Sequence, residues 1–429
     1  MAGFLEFVSG IVWGAPTIGL ISAFGLYFTL KSGFFQITGL RDILRDIKAK
    51  FTRGKDGISP LSAFATALGG TVGIGSISGV GIALAEGGPG SVFWMWVIGF
   101  LGCMLKYAEI NVAVRHRARE DGIFSGSAMH ALKKSGKKIT SFLFACSCLF
   151  TSFFTGCLTQ SSAVAAELSR NGLPKAFCGA IIALLVFISI YKGKKTIAAI
   201  SGVLVPAASA VYLTLTFFII GVNFARLPHA FFSIFKSAFG LRQAGAGAAG
   251  WAFSKCVRVG VTRGIFSSEA GMGSSPMAHS SSEDATPHSQ GGWGVLEIIV
   301  DTFVFSTLTA LALLSAGFTD MGDMYMFSFG SAGNTLLPVL LAVFGFAAVI
   351  SWCFYGETAI KFLFAKLHPI VLPIYKALVA CFAFLGAMIA VGSAWDLADI
   401  ANSLMMFPNL YLLFIKRKEI CLCFGRKKR

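Results

Sequence analysis

Residues 69–81 read GGTVGIGSISGVG, and residues 263–280 read RGIFSSEAGMGSSPMAHS. The first stretch places six Gly and two Ser inside an apolar run. A Gly in a helix interior costs about 0.8–1 kcal/mol relative to Ala, so this run makes a poor continuous helix. Three readings are open. A dinucleotide-binding loop needs GxGxxG after a strand, whereas Gly73, Gly75 and Gly79 are spaced GxGxxxG in an apolar context. Gly75 and Gly79 also form a GxxxG pair suited to close helix packing. The third reading is an interruption that exposes backbone N–H and C=O groups at membrane depth, tolerated only where the backbone lines a cavity. The second stretch repeats this character about 190 residues later, with Gly, Ser and Pro crowding an apolar segment and Glu269 inside it. Two interrupted apolar segments at matching places in two halves point to the binding site of a secondary transporter. Packing alone predicts no such correspondence.

Composition agrees with a membrane setting. Of the 429 residues, 55% are hydrophobic and 13% charged, about half the charge of a soluble domain, and the mean hydropathy is +0.74. At about 20 residues per span, the chain has room for roughly ten or eleven crossings. These values exclude a soluble enzyme, a disordered chain and a disulfide scaffold. The net charge of +16 raises nucleic-acid binding, but the Lys and Arg residues cluster in short loops between apolar runs, so no nucleic-acid partner is expected. The ten Cys lie mostly in apolar stretches and form no CxxC pair. Six His without a ligand cluster, and no HExxH, speak against an enzyme. A channel is disfavoured by paired breaks with no repeated pore loop. The N-terminus lacks the basic region of a cleavable signal peptide.

Apolar runs place helices near 11–30, 60–84, 91–114, 139–168, 176–191, 197–224, 253–281, 292–316, 335–364, 370–391 and 398–415, with an interfacial helix at 34–53 whose apolar positions back a basic face. Seven Lys or Arg lie between the first two runs, seven between the third and fourth, and seven after Ile415, whereas 85–90 and 317–334 carry none. The N-terminus is therefore expected outside and the C-terminus in the cytoplasm. Lys255, Arg258 and Arg263 sit within an apolar segment and must line a polar interior or lie near the surface. Five runs from each break give two repeats, and an odd number of spans per repeat makes them inverted. The expected organisation is an all-α polytopic protein. Residues 1–58 hold the extra helix and the interfacial helix, 59–224 the first repeat, 225–252 an extracellular connection, 253–415 the second repeat, and 416–429 a basic cytoplasmic tail.

At this level of detail the chain resembles the alanine/glycine:cation symporter family, whose members have a LeuT-like five-plus-five inverted repeat after one extra helix. The resemblance spans nearly the whole chain, through GLYFTLKSGFFQ (25–36), LAEGGPGSVFWMW (84–96), residues 263–280, ISWCFYGE (350–357) and AWDLADIANSLMMFPNL (394–410). It implies a prokaryotic plasma-membrane symporter for small neutral amino acids, chiefly alanine and glycine. A monovalent cation, usually sodium, would be the coupling ion, with no other cofactor. A proton-coupled or ion-independent permease with a shifted substrate is the alternative.

A zwitterion needs donors for its carboxylate and acceptors for its ammonium. Backbone N–H groups at a half-helix N-terminus serve the first need, and the resemblance assigns that role to Gly73, Ile74, Gly75 and Ser76. Carbonyls near Phe266, Ser267 and Ser268 would serve the second. Gln160 matches a family Gln in the fourth helix, and Trp352 a family Trp that closes the small side-chain pocket. Glu269, with Gly271 and Gly273, is expected to hold or gate the unwound backbone. Lys106, Glu109, Asp301, Glu357 and Asp399 are further ionisable residues within apolar runs; Lys106 and Glu109, three apart, are read as a pair. Two departures from the family pattern stand out. Gly73-Ile74-Gly75-Ser76 replaces GTGN, and Ala347 and Ala348 replace a Ser-Thr pair that would ligate sodium. Oxygens of Val72, Thr71 and Ser351 remain as a reduced sodium site.

The charge distribution predicts that 31–58 and 115–138 face the cytoplasm and 317–334 the outside. Substituted-cysteine labelling in intact cells checks this, and an Asp56→Cys protein labelled by an impermeant reagent from outside would reverse the assignment.

Overall fold

The computed structural model describes residues 2–50, 57–239 and 246–425, nearly all helical. Helices α1 (Ala2–Val12) and α2 (Ala15–Ser32) meet at a joint containing Gly14 and Pro16. A short α3 (Phe35–Thr38) leads into α4 (Leu40–Lys50), where Ile43 and Ile47 turn inward and the charged positions outward. This is the amphipathic helix expected at the interface. The first broken helix follows as α5 (Pro60–Thr71) and α6 (Ser78–Gly87), then α7 (Gly90–Arg115). A hairpin of β1 (Ala118–Glu120) and β2 (Ile123–Ser125) and the short α8 (Ala128–Lys134) precede α9 (Lys138–Phe153). A π-helical stretch, Phe154–Thr159, joins α9 to α10 (Gln160–Arg170). Helices α11 (Lys175–Tyr191) and α12 (Lys194–Val222) close the first half.

The second half opens with α13 (Leu227–Ala238) and the second broken helix, α14 (Ala246–Ser268) and α15 (Pro276–Ser280). After α16 (Pro287–Ile298), a second π-helical stretch, Ile299–Ser306, leads into α17 (Thr307–Ala316). The chain ends with α18 (Met321–Phe329), α19 (Gly333–Leu363), α20 (His368–Met388) and α21 (Val391–Gly425). Eight helical stretches among the described residues are long and apolar enough to cross a membrane, and α11 is a shorter apolar helix. Exposed Leu184, Phe217 and Ile370 lie on the peripheral helices, as a lipid-facing surface requires. Arg53, Lys55 and residues 426–429, which entered the orientation argument, lie outside the described residues, as do 240–245 of the connection. The connection does contain α13, whose Phe235 ring packs 5.7 Å from Phe93 on α7.

Both predicted interruptions are present, and the two broken helices run antiparallel. At one end Ile58, just before α5, pairs with Ser282, just after α15, and the Glu283 N–H donates to the Ile58 carbonyl at 3.2 Å. At the other end, a Cβ built on Gly87, the last residue of α6, would lie 3.1 Å from Val259 Cβ in α14. An inverted repeat demands this arrangement. Matching N-caps start the bundle-side helices: Ser59 accepts from the Ser62 N–H ahead of α5, and Thr286 from the Ser289 N–H ahead of α16, each followed by Pro. Small residues then allow close approach. A Cβ on Gly260 would sit 2.4 Å from the Ser91 carbonyl, and one on Gly264 2.6 Å from Ile98 Cγ2, so α14 lies directly against α7.

The buried ion pairs differ from the sequence reading in one respect. Lys106 does not pair with Glu109. Its Nζ donates to Glu297 Oε1 at 3.0 Å and to Ser275 Oγ at 2.6 Å, while Glu109 Oε1 accepts from Asn409 Nδ2 at 2.6 Å. Helical spacing brought Lys106 and Glu109 to one face, but a fully buried ammonium takes the partner that tertiary packing supplies, here Glu297 on α16.

Candidate functional site

The first break begins where Val72 leaves the helix at φ −77 and ψ 105. Its own N–H still reaches the Leu68 carbonyl, at 2.6 Å, and the Ile77 N–H returns to Gly73 at 3.2 Å. Between them, the N–H groups of Gly73, Ile74, Gly75 and Ser76 donate to no acceptor among the described residues. They lie at the N-terminal end of α6, where the helix dipole favours negative charge. The second break complements it. The Glu269 N–H closes the last turn of α14 on Ile265 at 2.8 Å, the Ala270 N–H turns to Ser268 Oγ, and the Met272 N–H goes to Glu269. The carbonyls of Phe266, Ser267 and Ser268 therefore accept nothing among the described residues, and they sit at the negative end of α14.

The two breaks face one another. A Cβ on Gly75 would lie 3.2 Å from Ser267 Cα and 3.3 Å from Phe266 Cδ1, so the close approach needs glycine. Free donors and free acceptors thus stand a few ångströms apart, in the pattern that an amino acid zwitterion matches.

Asp301 ties the breaks together. It lies in the second π-helical stretch, fully buried, and accepts from Ser76 Oγ at 2.6 Å, from Ser267 Oγ at 2.8 Å and from Thr302 Oγ1 at 3.0 Å. One donor comes from each break. Among the described residues no cationic side chain contacts it. A π-helical turn re-aims side chains at functional sites, and sequence reading flagged Asp301 only as an ionisable residue in a span.

The remaining expected residues distribute around this centre. Gln160 begins α10, its Nε2 held by the Thr155 carbonyl at 3.2 Å, with Oε1 buried and unpaired. That oxygen lies 3.9 Å from where a Gly73 Cβ would be. Trp352 is fully buried against Gly156, with its indole N–H unpaired. Ala348, one turn before Trp352, faces Gly73 with its Cβ 3.9 Å from a Cβ placed there. Ser351 Oγ is buried, unpaired, and 2.9 Å from the corresponding point on Gly69. Thr71, by contrast, turns its hydroxyl back onto the Ala67 and Leu68 carbonyls of its own helix.

Glu269 occupies the left-handed region at φ 52, with Gly271 at φ 90 and Gly273 at φ 75. A non-glycine residue held there costs on the order of 1–3 kcal/mol. Its carboxylate accepts from Ser274 Oγ and lies 3.3 Å from a Cβ built on Gly70, so it spans from the second break to the first. The Gly271 carbonyl accepts from Asn409 Nδ2 at 2.9 Å. Above the site, Phe266 packs on Trp395 with ring centroids 4.3 Å apart, and Arg263 pairs with Asp399 at 2.5 Å while lying over the Trp395 ring. Arg263 thus lines a polar interior. Sequence reading gave no individual role to Glu297, His279 or Asn409: His279 and Asn409 lie within the quoted stretches 263–280 and 394–410 and Glu297 within an apolar run, but their partners come from tertiary packing.

The sequence profile of the sodium:alanine symporter family matches residues 1–423. The chain belongs to that family. Among its curated relatives are the sodium/alanine symporter AgcS of Methanococcus maripaludis, 32% identical over 95% of this chain and 93% of that protein, and the probable sodium/glutamine symporter GlnT of Bacillus subtilis, 32% identical over 98% of this chain and 90% of its own length. In shape it is similar to MhsT, crystallised with L-phenylalanine, at a TM-score of 0.63 and 15% identity over 87% of this chain and 93% of that one. This likeness establishes a LeuT-type fold. As a sodium:alanine symporter family member, the protein is a multi-pass membrane transporter, a cation-coupled amino acid symporter and not an enzyme.

Gly75→Leu is expected to abolish amino acid uptake while leaving membrane insertion intact, because its side chain would occupy the space in which Ser267 and Phe266 approach the first break. Uptake measured against the amount of protein recovered from the membrane checks this; uptake within two-fold of wild type would show that the breaks do not form the site.

Proposed function

We propose that this symporter imports small neutral amino acids, alanine and glycine foremost, together with sodium, by alternating access. The observation that carries the reading is the facing set of free backbone groups: four N–H at residues 73–76 and three C=O at residues 266–268. The N–H groups would hold the substrate carboxylate, and the C=O groups with Gln160 Oε1 its ammonium. Phe266 brings its ring to 3.3 Å from a Cβ built on Gly75, which leaves little space for a side chain there and favours the smallest substrates. The named relatives pair sodium with alanine in one case and with glutamine in the other, so selectivity for side-chain size is the property to measure first.

Two sets of oxygen ligands suit a hard cation. Asp301 supplies negative charge with hydroxyls from both breaks, so a cation bound there would draw the breaks together. The Val72 carbonyl and Ser351 Oγ supply neutral oxygens, and Thr71 Oγ1, whose proton goes to its own helix, keeps its lone pairs for a cation. Proton coupling is the second reading, favoured by Ala347 and Ala348, which offer no side-chain oxygen where the family has hydroxyls.

Uptake of labelled alanine into proteoliposomes under separate sodium and proton gradients tests both readings. Sodium-driven, saturable uptake is expected. Asp301→Asn should raise the sodium concentration for half-maximal uptake roughly ten- to a hundred-fold, the effect of losing a charged hydrogen-bond partner. Uptake driven by the proton gradient alone and unchanged in Asp301→Asn would replace sodium by protons.

Sodium dependence is expected to be weaker than is usual for the family. Restoring both hydroxyls by Ala347→Ser with Ala348→Thr should therefore lower the sodium concentration needed for half-maximal uptake. If wild-type uptake already saturates at low sodium and the double substitution changes nothing, the missing hydroxyls do not set the coupling.

A further inference from the structure

The pair Arg263–Asp399 closes the floor of a cavity of about 620 Å³ that opens at the end of the molecule where α6 stops and α14 runs in. One wall of this cavity is α1 with the turn that follows it, through Glu6, Ser9, Gly10 and Trp13. Helix α1 precedes the inverted repeats, so the symmetry of the fold gives it no place in the transport path. The contacts give it one. Trp13 is 2% exposed, and its indole Nε1–H donates to the main-chain carbonyl of Asp399 at 2.9 Å, joining residues 386 apart. The side chain of Asp399 meanwhile holds Arg263.

We infer that Trp13 is a positioning residue of this gate. Its indole fixes the turn of α21 that presents the Asp399 carboxylate to Arg263, and α1 follows α21 when the gate opens. Three observations support it beyond the hydrogen bond. The joint of Gly14 and Pro16 separates α1 from α2, so α1 can pivot while α2 stays fixed. Helix α2 is locked to the scaffold, since a Cβ on Gly25 would overlap Leu101 Cβ of α7 at 2.8 Å. The Arg263–Asp399 pair is also single-point: Arg263 Nη1 and Asp399 Oδ1 are buried without partners, so the setting of α21 against α14 decides whether the one contact forms. A buried indole bonded to a carbonyl supplies that geometry with a direction, which apolar packing does not.

The inference rests on the transport reading, but its test needs no substrate. Ser267, one helical turn deeper than Arg263 on α14, is fully buried on the site side of the pair. In detergent-solubilised protein, a Ser267→Cys reporter is labelled with a charged maleimide, and labelling of the parent without the reporter is subtracted. Trp13→Phe keeps the ring and removes the donor, and labelling is expected to speed up about five-fold, the effect of one lost buried hydrogen bond. Asp399→Asn should speed it at least as much, and adding Trp13→Phe to Asp399→Asn should bring no further change, because both act on one contact. Trp13→Leu, also without a donor, gives the same comparison if Trp13→Phe is recovered poorly. Labelling at the wild-type rate in both Trp13 variants, or effects of Trp13→Phe and Asp399→Asn that simply add, would overturn the role of Trp13. Uptake that fails in the wild-type protein would instead overturn the transport reading and leave the labelling result standing.

Discussion

A backbone amide in the hydrocarbon core of a bilayer must find a partner inside the protein, and this chain violates that demand at two places on purpose. The breaks at 72–77 and 269–275 leave donors and acceptors that the helices cannot satisfy. Such groups cost several kcal/mol each if they face lipid, so they persist only where the protein shields them and a ligand completes them. Much of the architecture follows. The breaks must lie deep in the bundle, they must face each other, and helices that carry no site residue must wall them off.

The walls are held by a small number of buried charges. Lys106 on α7 meets Glu297 on α16 and Ser275 at the start of α15, and His279 joins the same carboxylate at 3.0 Å. Asn409 on α21 connects Glu109 to the Gly271 carbonyl. Through Ser275 and the Gly271 carbonyl these links fasten the unwound segment after α14 to α7 and α21, and the rest tie the surrounding helices to one another. Removing one partner from such a pair strands a buried charge, a loss of about 3–5 kcal/mol. The strained backbone of Glu269 is affordable in that setting, since its neighbours on both sides are fixed.

The two ends of the broken helices are closed by different chemistry. Near residues 58 and 282 the closure is backbone to backbone, reinforced by Arg117, which donates to the Ser280 and Ser282 carbonyls at 3.1 and 2.6 Å. At the opposite end one ion pair and a tilted, closely packed pair of aromatic rings separate the site from a wide cavity. Several distributed hydrogen bonds resist opening more than one contact does. This asymmetry describes a transporter closed firmly on the α5 side and lightly on the α1 side.

Periodicity and composition by themselves determined the membrane setting, the positions of the apolar helices, the amphipathic helix after α2 and both interruptions, because each is a local property: apolar length, glycine content or spacing at 3.6 residues. The residues of the breaks were legible for the same reason. Pairing was not. Lys106 and Glu109 share a helical face, yet their partners come from α16 and α21, about 190 and 300 positions onward, and no local pattern encodes such distances. Asp301 was visible as a charge in a span, but that its carboxylate joins Ser76 to Ser267 depends on the π-helical turn beneath it and on the antiparallel setting of the two breaks. Nothing in the apolar run 11–30 singles out Trp13, which tertiary packing lays against the Asp399 carbonyl. A long-range hydrogen bond needs two groups brought together by everything between them, and only the folded chain decides that.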